Sequence, residues 1–243
     1  MPVIDLSFRV QGTEIPADHS YLLYKAITNI IPKIHPPNHH VSEAESDSAR
    51  TTDTDHAETK PFWKSVFIHP INGQLSGDRM QRLTQRSRLT LRLGSDFISA
   101  ILPIAGKTLR LGEKTILIGI PTIYTLKPSP RLYSRLVVIR GFTEPGDFLD
   151  AANRQLSKLG IKGKPSLLLR KGKASFEGKT VRGDEIPGVI RRTIRIKDKD
   201  VVGFALEVSE LSAEESLLLQ EEGLGGRQHF GCGVFIPSTR SIR

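Results

Sequence analysis

Strand and helix signals follow the order β-α-β-β-α-β twice along this 243-residue chain. That succession predicts the α+β class: two tandem ferredoxin-like (RRM-like) domains, each a four-stranded antiparallel sheet with two helices. Three observations carry it. Residues 4–10 and 88–93 alternate apolar and polar with the period of a half-buried strand. Helical stripes at three- and four-residue spacing follow Pro16 and Pro145. Ser212 and Glu215 form an S-x-x-E capping box ahead of a late helix. The predicted domains are 1–127 and 128–243.

In the first half, Ile4, Leu6, Phe8 and Val10 line one face of the opening strand. Pro16 opens a helix with Leu23, Ala26, Ile27, Ile30 and Ile31 inward, ending near Pro32. Pro36 to Lys60 holds no aromatic residue and, among large aliphatics, only Val41, so it reads as a disordered acidic insertion. Trp63 to His69 reads as a strand, with turns at Asn72-Gly73 and Ser76-Gly77. Arg88 to Leu93 is the next strand, Asp96 to Leu102 a short helix, and Thr108 to about Ile120 a further strand.

The second half repeats the order. Leu132 to Ile139 is a strand and Pro145 to Leu159 a helix burying Phe148, Leu149, Ala152, Leu156 and Leu159. Ser166 to Leu169 reads as one strand of a basic hairpin. Val189 to Ile196 and Val201 to Val208 flank the charged turn Lys197-Asp-Lys-Asp200. The capped helix runs to Glu222, and Val234 to Ile236 closes the sheet.

Charge narrows the function. The chain carries 35 Lys+Arg against 26 Asp+Glu, a net +9, and residues 36–60 alone are −4, leaving +13 on the rest. Such a surface favours a polyanion, with an anionic membrane second. No apolar run approaches the ~20 residues of a membrane span, and no secretory signal pattern opens the chain. One cysteine, Cys232, excludes an internal disulfide and a zinc finger. The expectation is a cytoplasmic protein with a basic face, no cofactor and no metal site.

Arg79, Arg82, Arg86, Arg88 and Arg92 cluster with no acid among them. Residues 154–199 hold fourteen bases against four acids, Arg191, Arg192 and Arg195 among them. Either these are solvated faces that keep the protein soluble, or they present guanidinium groups to phosphates from a sheet. Aromatic residues are 6% of the chain and do not interleave these arginines, so no stacking platform for single strands is indicated.

Gly223 to Gly233 contains Gly223, Gly225, Gly226, Gly231 and Gly233, with Arg227 and His229 between them. It follows a helix and lacks a Gly-Lys-Ser/Thr, so it is neither a P-loop nor a dinucleotide fingerprint. A flexible turn and an anion-binding loop both remain open. His35, His39, His40 and His56 lie in or beside the insertion and read as linker residues; His69, before Pro70, reads as structural. His19 falls in the first turn of the first helix beside Tyr21, Tyr24 and Lys25. It is either a capping or surface histidine, or a neutral proton acceptor kept so by the helix dipole.

Asp18-His-Ser-Tyr-x-Leu-Tyr24 resembles the opening of the CRISPR-associated repeat-cleaving endoribonucleases, the "Cas six" family of the RAMP superfamily, in its type I MYXAN variety. The likeness continues in Arg86-Ser-Arg-Leu-Thr-Leu-Arg92, Pro103-Ile-Ala-Gly-Lys107, Leu219-Gln-Glu-Glu-Gly-Leu-Gly-Gly226 and Gly231-Cys-Gly-Val-Phe-Ile-Pro237, and spans the chain apart from 36–60. The resemblance implies tandem ferredoxin-like domains and metal-independent cleavage of precursor CRISPR RNA repeats into mature crRNA. In that reaction the 2′-hydroxyl attacks the adjacent phosphate, leaving a 2′,3′-cyclic phosphate and a 5′-hydroxyl. It also implies retention on the repeat hairpin within a type I interference complex, with the other subunits as partners.

By the same resemblance His19 is the general acid or base and Gly223–Gly233 an RNA-backbone cradle. Tyr24 or Tyr21 positions the 2′-hydroxyl, and Arg227 or Lys25 stabilises the phosphorane. Arg227-Gln228-His229 stands in place of a denser basic run, which makes His229 a rival for the proton. The alternative is a non-catalytic subunit that only binds the RNA hairpin; a remoter one is a ribosome- or DNA-associated basic module.

Overall fold

The computed structural model describes residues 1–31, 62–63, 65–169 and 188–238. The predicted insertion at 36–60 and the tip of the basic hairpin lie outside the described residues.

In the first half, β1 (Val3–Gln11) pairs antiparallel with β6 (Arg88–Gly94) on one side and β8 (Lys114–Thr125) on the other. β3 (Phe67–Ile68) adds to the outer edge of β6, and β7 (Thr108–Leu111) to β8, giving the order β3-β6-β1-β8-β7. The alternation that marks β1 places Ile4, Leu6, Phe8 and Val10 in the core. Against that face packs α1 (Ser20–Ile30), through Leu23 and Ile27, with the short α2 (Ile98–Ile101) beside it through Ile101.

The second half is built alike. β9 (Leu132–Val137) pairs with β12 (Lys199–Ser209) and β13 (Ile236–Pro237), and β10 (Lys164–Leu167) with β12, in the order β10-β12-β9-β13. β11 (Arg191–Ile196) continues the β10 edge of β12. Helices α3 (Pro145–Lys158) and α4 (Ala213–Glu222) cover one face around Phe148, Leu156, Phe204, Leu206 and Leu219. Counting only β1, β3, β6 and β8 in one half and β9, β10, β12 and β13 in the other, both sheets have the spatial order 2-3-1-4. That order, with two helices on one face, is the ferredoxin-like arrangement the element succession predicts.

Several boundaries differ from the sequence reading. The strand expected over Thr108 to Ile120 is a hairpin, because Gly112 turns the chain at φ +69° between Leu111 and Lys114. The strand expected from Trp63 shrinks to Phe67–Ile68, with Phe62 and Trp63 buried against the first core. The first helix begins at Ser20 rather than Pro16, because Glu14–Pro16 is β2, which pairs with β5 (Met80–Arg82). β4 (Gln74–Ser76) completes that small sheet, and no periodicity announces it. The closing strand begins at Ile236, not Val234.

The capping box is as expected: Glu215 N–H donates to Ser212 Oγ at 3.1 Å and Ser212 N–H to Glu215 Oε2 at 2.9 Å. No helix among the described residues is long and apolar enough to cross a membrane.

Candidate functional site

The two sheets meet where α1 approaches the segment after α4, and that junction gathers most of the titratable groups singled out in the sequence. His19 occupies the N-cap position of α1 and is fully buried. Its Nδ1 donates to the Pro16 carbonyl at 2.9 Å, and its Nε2 accepts the Ile71 N–H at 3.0 Å. Both ring nitrogens are therefore used within the protein, and burial pushes the pKa down to about 4. In the RNA-free protein the ring is a neutral tie between the α1 entry and the chain after β3.

Arg92 also departs from expectation. It shares a strand face with Arg88, but its side chain is only 2% exposed. Nε and Nη2 donate to the two Asp5 carboxylate oxygens at 2.7 and 3.0 Å, while Nη1 donates to Gln220 O at 2.9 Å and Phe235 O at 2.7 Å. Four of the five guanidinium N–H groups join the two halves, and burial against the Asp5 carboxylate keeps the group from a phosphate in solution. His69 lies beside it, Nε2 3.7 Å from Asp5 Oδ1, with its pKa lowered to about 4 by burial and by the Arg92 charge.

The glycine-rich segment is a packed turn. The N–H groups of Gly223, Gly225, Gly226, Gly231 and Gly233 donate to Leu219 O, Gln155 Oε1, Val138 O, Gln228 O and Leu136 O respectively. These five donors are spent inside the protein, so the glycine N–H groups are not themselves offered to an anion. The glycines serve close approach instead: at Gly233 (φ +64°) a Cβ would run into Leu224 O, and at Gly225 (φ +76°) into Val138 O.

The segment does bring side chains to α1. The His229 ring packs 5.2 Å from Tyr24 and 4.1 Å from Phe230, centroid to centroid. Tyr24 in turn meets Phe230 at 4.9 Å and Trp63 at 5.7 Å, and Tyr21 meets Phe230 at 5.9 Å. Burial and the Arg227 charge push His229 down to about 4, while burial and Tyr21 push Tyr24 up, so one ring is a neutral acceptor and the other a retained phenol. Arg227 is exposed at the rim in a left-handed conformation, φ +71°, and Lys25 is exposed one residue after Tyr24. Tyr24 thus meets His229, Arg227 bears on the His229 ring, and the two ring nitrogens of His19 are engaged with Pro16 and Ile71 instead.

Of the remaining arginines, Arg79, Arg82, Arg86, Arg191 and Arg195 are exposed. Arg88 turns back on the Gln85 and Ser87 carbonyls at 2.7 and 2.8 Å. Arg192 is half-buried beside Arg135, a residue the sequence reading passes over. A lone arginine inside the apolar run Leu132 to Ile139 is the available signal. The aromatic rings that do not interleave with arginines in sequence converge in space, packed tilted or edge-on against one another. No group of three His, Cys, Asp or Glu side chains among the described residues is placed to hold a metal ion.

The family model described as "Cas6 Crispr" matches residues 4–240. This chain belongs to the Cas6 family. It is 32% identical over 243 residues to the CRISPR-associated endonuclease Cas6 of Myxococcus xanthus strain DK1622, covering all of this chain and 85% of that protein. It thereby joins the CRISPR-associated endonucleases. Solved Cas6 structures share the fold. A protein characterised as Cas6-related from Pyrococcus furiosus superposes with a TM-score of 0.60 at 12% identity, over 98% of this chain and 100% of that one. A CRISPR-associated protein Cas6 does so at 0.57 and 12% identity, over 97% and 98%. A RAMP protein described as binding different RNA substrates gives 0.57 at 12% identity, over 97% and 98%.

Proposed function

We propose that this Cas6 protein cuts the repeats of precursor CRISPR RNA into mature crRNA without a metal. It then stays on the repeat hairpin as a subunit of a type I interference complex, and its domains divide at 127/128. The observation that carries the site assignment is the neutral His229 ring against Tyr24 beside the exposed Arg227. RNA supplies its own nucleophile, so the protein must remove one proton, hold an in-line geometry and neutralise charge.

His229 takes the 2′-hydroxyl proton as the 2′-oxygen forms a bond to phosphorus. The bond from phosphorus to the 5′-oxygen breaks, that oxygen acquires a proton from solvent, and a 2′,3′-cyclic phosphate and 5′-hydroxyl remain. The Tyr24 hydroxyl donates to the 2′-oxygen and orients it, and Arg227 faces the phosphorane oxygens. Arg79, Arg82, Arg86, Arg191 and Arg195 supply a charged surface for the rest of the repeat.

A second reading, a hairpin-binding subunit without cleavage, is favoured by one observation: the first-helix histidine has no nitrogen to offer. One experiment separates the two. The cognate repeat RNA is incubated with protein in excess EDTA, beside the same RNA carrying a single 2′-deoxy nucleotide at the cut. Cleavage of the first alone supports the nuclease; tight binding with both RNAs intact supports the binding subunit.

A further inference from the structure

Two arginines at the junction lie side by side with no carboxylate among the described residues in ion-pair contact. Arg135, on β9, and Arg192, on β11, are half-buried and make no ion pair among the described residues. Arg192 Nε is buried with no hydrogen-bond partner. Burial and the charge of Arg192 depress the Arg135 guanidinium, so the two repel each other across a poorly solvated gap. Asp18, whose charge reaches Arg135, already accepts the Arg195 N–H at 2.7 Å. A half-desolvated cation pair with only the partial counter-charge of Asp18 is costly to the free protein, and an anion bound between the two would offset that cost.

The surroundings identify the anion. Arg135 and Arg192, with Pro70 and Gly231, form the wall common to two cavities of about 260 and 340 Å³. Phe230, Ser20 and Thr193 line the smaller, and Tyr133, His69 and Asn72 line the larger. At about 260 and 340 Å³ the two lie at the small end of ligand pockets, which run from roughly 300 Å³ upward, a scale for one nucleoside each and not for a duplex groove. An aromatic ring stands in each, as single-stranded RNA recognition with splayed, stacked bases requires.

We infer that Arg135 and Arg192 clamp one backbone phosphate of an unpaired dinucleotide step in the repeat RNA, with the two flanking nucleosides seated in the two cavities against Phe230 and Tyr133. This rests on the RNA-processing reading and names a site in it. The clamp selects a single-stranded segment, leaving a hairpin stem to the exposed arginines.

The test is a methylphosphonate scan along the repeat RNA, made uncleavable by a 2′-deoxy nucleotide at the cut, with affinity measured for wild type and for Arg135→Gln/Arg192→Gln. One linkage, when neutralised, costs the wild type roughly tenfold to a hundredfold, as charge-assisted bonds do. The same linkage costs the double variant less than about twofold, because its partners are already gone. Thermal unfolding of the double variant occurs at or above the wild-type temperature, since a repulsion has been removed.

Tight binding in which every linkage costs both proteins equally overturns the clamp, as does a variant that melts several degrees lower with unchanged affinity. Cleavage of the all-ribose repeat is scored separately. No cleavage by wild type, with the linkage effect intact, sinks the nuclease reading and leaves the clamp standing.

Discussion

His19 Nε2 accepts the backbone N–H of Ile71 at 3.0 Å, closing a 52-residue excursion of the chain onto the entry to α1. With Nδ1 held by Pro16, the ring is a structural cross-brace inside the first half of the chain. Replacing it with alanine leaves the Ile71 N–H and the Pro16 carbonyl unpaired around a small cavity, at a cost of about 2–4 kcal/mol. His19→Ala is therefore expected to melt several degrees lower, with its folded fraction still cutting RNA at reduced temperature. A wild-type melting temperature with a hundredfold loss of cleavage would return His19 to the chemistry.

Acid should loosen the protein before its carboxylates titrate. His19 and His69 have folded-state pKa values lowered to about 4 from an ordinary 6.5. Between those values the unfolded chain binds protons that the folded chain refuses, so stability rises with pH across that window. It is fully present above about 6.5, is lost as pH falls toward 4, and for these groups changes no further below that. The buried His19 contributes at most on the order of 3 kcal/mol. Urea midpoints between pH 7.5 and 4.5 should show the slope, and His19→Gln should reduce it. A flat midpoint over that range would mean the histidines are not buried neutral.

Arg92 is expected to matter for stability and domain alignment rather than for RNA affinity. Removing it leaves Asp5 half-shielded without its partner and frees the Gln220 and Phe235 carbonyls, a loss of about 3–5 kcal/mol by analogy with broken buried pairs. Arg92→Met also removes the positive charge that holds His69 down and leaves Asp5 to raise it, so the His69 pKa should climb. Histidine proton NMR titration reads the shift, and a His69 pKa unchanged in the variant would contradict the geometry.

The sequence period reveals which residues share a face but not what covers that face. Ile4 to Val10 and Arg88 to Leu93 are legible because alternation is local, and the capping box at Ser212 because its partner is three residues away. Arg92 misleads for the same reason it stands out: its position on β6 is local, while its cover is a carbonyl 143 residues on. The β7–β8 hairpin shows in the sequence only as a change of phase: Leu109 and Leu111 are buried at odd positions and Ile116 and Ile118 at even ones, on either side of the two-residue turn at Gly112. At the candidate site, Tyr24, Arg227 and His229 are each visible in the sequence, but their meeting depends on how the two sheets dock. Arg135 gives one faint signal, a charge in an apolar strand, and its meaning requires the neighbouring Arg192.

The glycines of the segment after α4 should separate sharply on substitution. Gly233→Ala and Gly225→Ala place a methyl group against backbone carbonyls at positive φ, costs that add strain to collision. A methyl group on Gly226 would meet nothing within 4 Å, and that residue has no positive φ. Alanine at 233 or 225 is expected to lower the melting temperature by many degrees, and alanine at 226 to leave it within a degree or two. Equal tolerance at all three positions would mean the segment is a loose turn after all.

Cleavage should depend on His229 with an unusual pH profile. A histidine titrating near 6.5 loses about tenfold of its neutral form between pH 7.5 and 5.5. His229, lowered to about 4 by burial and Arg227, stays neutral throughout that range. Because kcat/KM reports the free enzyme, its acid limb belongs near 4, and the rate at pH 5.5 should remain within about twofold of that at 7.5. Arg227→Gln removes the charge that helps burial hold the ring down and should move the limb upward. His229→Ala is expected to lose the 10²–10⁴-fold typical of a proton-transfer group, and Tyr24→Phe, which keeps the aromatic packing, about tenfold. Repeat affinity should hold within a few-fold in both, measured on uncleavable RNA. If His229→Ala cuts at the wild-type rate, the base lies elsewhere, and the junction of α1 with the post-α4 segment binds RNA without performing the proton transfer.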